Sequence, residues 1–157
     1  MRDDHNLILR KFEPSDLDTL ATIWFESASI PGVGPEHMPS TSELRERMDR
    51  EIEAGWHLTV AVKQAEIVGF LAIRTDKALL DQLFLQPASI GKGIGQKLLE
   101  EAKRLMPQGF TLHTAATNDH ARRFYEASGL SIDREELHPR FGHPIVWYKW
   151  PGYNVRN

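Results

Sequence analysis

The chain has 157 residues, a formal net charge of −3 and no cysteine. That length suits one domain over 1–157 with a sizeable core, the charge gives no electrostatic reason for a nucleic-acid footprint, and the missing thiols exclude a disulfide framework, a cysteine nucleophile and a thiolate metal site. No window approaches the ~20 apolar residues of a membrane span. Met1-Arg2-Asp3-Asp4 begins a polar end without a signal-peptide core, so a cytoplasmic protein with neither membrane nor nucleic-acid partners is expected.

Leu7 to Phe12 reads as a first strand. Pro14-Ser15-Asp16 starts a helix in which Leu17, Leu20, Ala21 and Trp24 share one face. Two prolines and two glycines between Ser29 and Pro35 break it. Ser40-Thr41-Ser42 can cap a second, highly charged helix carrying Leu44, Met48 and Ile52, which Gly55 closes. The charges Arg45-Glu46-Arg47 and Asp49-Arg50-Glu51 read as a solvated face. Trp56 to Val62 and Ile67 to Ile73 are strands joined by a hairpin at Lys63-Gln64-Ala65-Glu66. Another strand spans Leu79 to Leu85.

A helix follows with Ile94, Leu98, Ala102 and Leu105 in one stripe, ended by Pro107 and Gly109. Gly109 to Ala116 is a strand, Asp119 to Ala127 a helix, and Ser131 to Leu137 and Ile145 to Trp150 are closing strands. The pattern is α+β: one sheet, antiparallel at the front, with a single β-α-β crossover around a glycine cluster. Trp24, Trp56, Trp147 and Trp150 read as core and sheet-end packing. The seven histidines present no metal site: His138 and His143 lie in a loop with Pro139, Gly142 and Pro144 and lack a supporting carboxylate set.

The glycine cluster is the most informative segment. Leu83-Phe84-Leu85 runs through Gln86 to Ile90 into Gly91-Lys92-Gly93-Ile94-Gly95-Gln96, where a helix begins. A helix N-terminus offers unpaired N–H groups and a partial positive charge, and glycines remove the side chains that would hold a phosphate away. A Walker loop requires Gly-Lys-Ser/Thr, whereas Gly93 follows Lys92 here. A dinucleotide fingerprint requires Gly-x-Gly-x-x-Gly and a later acid, whereas Gly95 comes one residue early and the next strand ends without the acid. Both are excluded.

The order strand, Gly91-x-Gly93-x-Gly95, amphipathic helix resembles the GNAT superfamily of N-acetyltransferases, with Ile90 standing where the family pattern has Gln or Arg. Asn118, then Ala121-Arg122-Arg123-Phe124-Tyr125, then Gly129-Leu130 extends the resemblance, which is specific between Leu83 and Leu130. It implies a three-layer fold with a mixed, mostly antiparallel central sheet flanked by helices, and an enzyme that transfers acetyl from acetyl-coenzyme A directly to a primary amine. The implied cofactor residues are the backbones of Leu83, Phe84 and Leu85, the loop Gly91, Lys92, Gly93, Ile94, Gly95 and Gln96, and Asn118, which is also a good helix cap. No metal is implied.

The resemblance also implies that Tyr125 serves the departing thiolate. A phenol of pKa ~10 beside a thiol of ~8.5 can donate to that sulfur, and the alternative is a core aromatic beside Phe124. The general base stays open among Asp81, His113, His120, the pair Glu36-His37 and a water chain. The resemblance implies that the second, charged helix, with the loop from Pro31 to Pro39, overlies the acceptor cleft. The acceptor, a small-molecule or peptide amine, is not spelled out, and homodimerisation is left open. A non-catalytic acyl-coenzyme A sensor and a transferase of another acyl group are the rival readings.

Overall fold

The computed structural model describes residues 6–153. The polar end read at Met1-Arg2-Asp3-Asp4 lies outside them. Among the described residues seven strands form one sheet in the order β1-β2-β3-β4-β5-β7-β6. They are β1 (Leu7–Lys11), β2 (His57–Lys63), β3 (Glu66–Arg74), β4 (Leu79–Leu85), β5 (Phe110–Ala115), β6 (Ser131–Leu137) and β7 (Pro144–Trp150). Among the described residues four α-helices cover its faces: α1 (Leu17–Ala28), α2 (Thr41–Ala54), α3 (Ile94–Leu105) and α4 (Asp119–Ala127). All neighbouring strands are antiparallel except β4 and β5, which the α3 crossover makes parallel.

Local chemistry accounts for the boundaries. The Ser40 hydroxyl accepts from the Glu43 N–H at 3.1 Å while Glu43 accepts from the Ser40 N–H, a closed capping box at the start of α2. The β2–β3 hairpin turns on Gln64 and Ala65 at φ +52° and +65°. Two left-handed residues match the twist of the strands, and here neither is glycine. The fully exposed edge strand β6 carries Asp133, Arg134, Glu135 and Glu136, charges that discourage edge-to-edge pairing.

The core has two halves, one on each face of the sheet. Leu20, Trp24, Leu44, Met48, Leu58 and Phe70 join α1 and α2 to one face. Leu98, Leu99, Leu112, Tyr125 and Tyr148 join α3 and α4 to the other. Leu99 enters the buried stripe beside Ile94, Leu98 and Ala102, because a helix lying on a sheet buries a wider arc than one row of residues.

The sheet is not continuous at its centre. β4 and β5 have a single matched pair, Leu79 with Thr111, and then separate. Every residue of β4 from Asp81 to Leu85 is therefore only half-buried, in a strand that would otherwise lie mid-sheet. That gap positions the site.

Candidate active site

Peptide groups along a strand alternate sides, so one contact on β4 orients the rest. The Gln86 N–H donates to Val68 O on the β3 side. Phe84 shares that parity, and Leu83 and Leu85 turn their peptide groups toward the gap. The Ser27 hydroxyl reaches across from α1 and donates to Leu85 O. Of the three residues expected to pair with a cofactor arm through backbone, Phe84 is thus turned to β3, and the Leu85 carbonyl already has a partner. Phe84 instead offers its ring, which stacks with Trp24 at 6.3 Å.

The glycine loop is held open. Gly91 and Gly93 sit at φ +84° and +85°, where other residues are strained, and a Cβ at either position would project into empty space. A Cβ at Gly95 would lie 3.6 Å from Phe124 Cζ and 3.7 Å from Leu85 Cδ1, so this glycine keeps α3 close to both. Ile94 is buried in the core with its side chain turned away from the loop. Lys92 is exposed and does not line the cleft. For these two residues only backbone contacts with a ligand remain, because the helix start points one inward and the bend points the other to solvent.

A groove of about 700 Å³ runs along this loop, lined by Leu83, Leu85, Ile90, Gly91, Gly93, Gly95 and Gln96. Its far wall is α4, which contributes His120, Arg123 and Phe124. The size and the largely apolar lining suit a cofactor-sized ligand. Asn118 caps α4, accepting from the Ala121 N–H at 3.1 Å and donating to Thr114 Oγ1 at 3.3 Å. It also borders the groove, so the cap and the wall are one residue.

A second, smaller cavity of about 170 Å³ lies across the gap. The segment between α1 and α2 roofs it with Val33, Gly34, Pro35, Met38 and Pro39. The Thr117 hydroxyl donates to Gly32 O at 2.9 Å and pins that segment to the start of α4. Groove and cavity share Val33, Leu83, Phe84, Asn118, Ala121 and Tyr125, so they are two arms of one cleft meeting at the splayed strands.

Tyr125 stands in that shared wall. Among the described residues its hydroxyl has no hydrogen-bond partner, unlike Tyr148, which donates to Glu126 at 2.6 Å and accepts from Arg122. Burial pushes the Tyr125 phenol well above its ordinary pKa, which keeps it protonated and able to donate.

The base candidates separate by position. Asp81 and His113 line the cavity, His120 lines the groove, and Glu36 and His37 are exposed and line neither. Asp81 Oδ2 accepts from the Trp56 indole at 2.7 Å. Burial lowers the His113 pKa below the usual imidazole value, more than neighbouring Asp81 raises it, so His113 is neutral near pH 7.

The structure adds residues that the sequence pattern did not single out. Arg47 does not belong to the solvated face of α2; it folds over the Trp24 ring at 5.2 Å and lines the cavity. Its position beside the Leu44–Met48 stripe is the signal that could have found it. His138, Phe141 and His143 come from the loop after β6 to close the cavity from below. His113 meets His138 edge-on at 5.7 Å, and His138 stacks on His143 at 5.0 Å. Backbone N–H groups of Arg140 and Phe141 donate to His138 Nδ1, fixing it as the unprotonated nitrogen. Among the described residues no group of three His, Asp or Glu is arranged to hold a metal ion, and no helix is long and apolar enough to cross a membrane.

Comparison with known proteins agrees with this geometry. Residues 28–138 match the family model of the acetyltransferase (GNAT) domain. The chain is 38% identical over 76 residues to the peptidyl-lysine N-acetyltransferase YjaB of Salmonella typhimurium, a match covering 48% of this chain and 50% of the relative. The matched region spans about half the length of that relative. The fold is shared with apo YjaB from Escherichia coli (TM-score 0.70, 22% identity, 94% of this chain and 99% of that one). It is shared also with a phosphinothricin acetyltransferase from Sinorhizobium meliloti solved with AcCoA (TM-score 0.72, 21% identity, 94% of this chain and 89% of that one). With a splayed mixed sheet, a glycine loop at the start of α3 and a family match over most of its length, the chain belongs to the GNAT family of N-acetyltransferases.

Proposed function

We propose that this protein transfers acetyl from acetyl-coenzyme A to a primary amine, without a covalent enzyme intermediate. The observation that carries the reading is the meeting of groove and cavity at the unpartnered Tyr125 hydroxyl. Donor and acceptor arriving from opposite faces would be held in contact there, which removes most of the entropy of encounter.

The open loop of Gly91 and Gly93 fits a pyrophosphate against the N-terminus of α3, with Arg123 and His120 at the rim as further cationic or donor groups. The gap-facing peptide groups of β4 fit the amides of the pantetheine arm as an added strand. A β4 N–H facing the gap polarises the thioester carbonyl. His113, neutral and in the acceptor cavity, takes the proton released as nitrogen bonds to the carbonyl carbon. Tyr125 gives its proton to the sulfur as the carbon–sulfur bond breaks and recovers one from solvent afterwards.

Thiol release from acetyl-coenzyme A across a panel of amines tests the reading. Turnover with at least one amine supports it. Cofactor binding without turnover by any acceptor would leave a sensor module instead. Parallel assays with longer acyl donors separate acetyl from other groups.

A further inference from the structure

We infer that Arg47 is the receptor for a carboxylate on the acceptor, and that the acceptor is a small amino acid or an amino-acid-like amine. This rests on the acetyltransferase reading and names the substrate class of its acceptor cavity. Arg47 reaches the cavity from α2 and holds its guanidinium over Trp24. Among the described residues it forms no hydrogen bond or ion pair, whereas Arg10, Arg45, Arg74, Arg104 and Arg134 each have a carboxylate partner. A half-buried guanidinium without a partner presents its planar fork to whatever enters. Asp81, the one acid lining the cavity among the described residues, gives one oxygen to Trp56, and its charge acts on Arg47 without a contact ion pair.

The remaining chemistry of the cavity points the same way. Among the described residues a single acid, already bonded to Trp56, lines the cavity beside Arg47, which is a poor receptor for a polyamine or an aminoglycoside with several cations. At about 170 Å³ against about 700 Å³ for the groove, the cavity is the smaller arm of the cleft and suits a small head group. An amine bearing a carboxylate would place its anion on Arg47 and its nitrogen toward His113 and Tyr125.

The test uses the intact protein with two separate readouts. Melting with and without acetyl-coenzyme A reports the donor side. Thiol release reports the acceptor side, with L-amino acids compared against their carboxamides and decarboxylated amines, and with spermidine and a lysine-containing peptide amide. The acids are expected to exceed their amides by about 10- to 100-fold in kcat/KM, mainly through KM. Arg47→Met, which keeps an unbranched stem over Trp24, should bring that ratio close to one, and Arg47→Lys should restore part of it.

Equal or better use of the amides, of spermidine or of the peptide overturns the carboxylate assignment and leaves the acetyltransferase reading standing. Failure of every acid to turn over, while acetyl-coenzyme A still raises the melting temperature, overturns it as well. Absence of any donor effect on melting overturns both.

Discussion

Trp56 donates its indole N–H to Asp81 Oδ2 at 2.7 Å, from the residue before β2 to the one residue of β4 that the β3 ladder skips. The register shifts between Ala72 and Ile73, opposite Gln82 and Leu80, so Asp81 is the extra residue of a bulge. Bulges re-aim side chains next to sites. Here the bulge delivers a carboxylate to the cavity floor and then occupies one of its oxygens.

A structural role for Asp81 follows. Asp81→Asn keeps an oxygen for the indole and should leave kcat within about threefold of wild type, since His113 is the proposed base. Asp81→Ala would strand a buried N–H and should cost about 1–3 kcal/mol in denaturant unfolding. A collapse of kcat in a stable Asn variant would move the general base to Asp81.

Coenzyme A should stabilise the fold through the loop amides. At a hundredfold over its dissociation constant the gain is roughly 2.7 kcal/mol. Thermal melts read it directly, and an unmoved transition at millimolar ligand would remove the phosphate role from the glycine loop.

Gly93→Val should weaken coenzyme A binding, and it should cost stability too, because φ +85° disfavours a branched residue by about 1–2 kcal/mol. Gly129, at φ +93° and with open space where a Cβ would stand, lies away from the groove and supplies a control of matched strain. Calorimetry should show a large affinity loss for Gly93→Val and almost none for Gly129→Val. Equal losses would reduce the loop to a turn.

Tyr125→Phe removes a hydroxyl that has no partner among the described residues, so stability should hardly change. Single-turnover acetyl transfer should slow by roughly 10²–10⁴ with cofactor affinity retained. Wild-type rates in that assay would return Tyr125 to the core.

Acid should destabilise the protein. Burial holds the imidazoles of His113 and His138 below their ordinary pKa in the folded state. As pH falls through ~6.5 the unfolded chain gains protons that the folded chain resists, so stability drops there and is unaffected by these groups above it. Denaturant melts at pH 7.5 and 5.5 should show the loss, and His113→Gln should reduce it. The same substitution should flatten the acid limb of kcat if His113 is the base.

Much was legible without coordinates because it is written in local chemistry. Strand and helix limits followed from periodicity, caps and breakers: Ser40-Thr41-Ser42, Gly55, Pro107 and the glycines before Ile94 each act within a turn or two of chain. The order of the glycine loop and the Asn118 to Tyr125 helix was enough to name the family, since both motifs are contiguous. Tertiary structure alone decided what crosses the gap between β4 and β5. Which peptide groups of Leu83, Phe84 and Leu85 face that gap depends on pairing with β3. Arg47 turns inward only because Trp24, 23 residues earlier, offers its ring. His113 and His138 meet because β7 returns between their strands and the loop after β6 folds under the cavity. Periodicity records which way one element faces; it carries no term for which distant residue completes the contact.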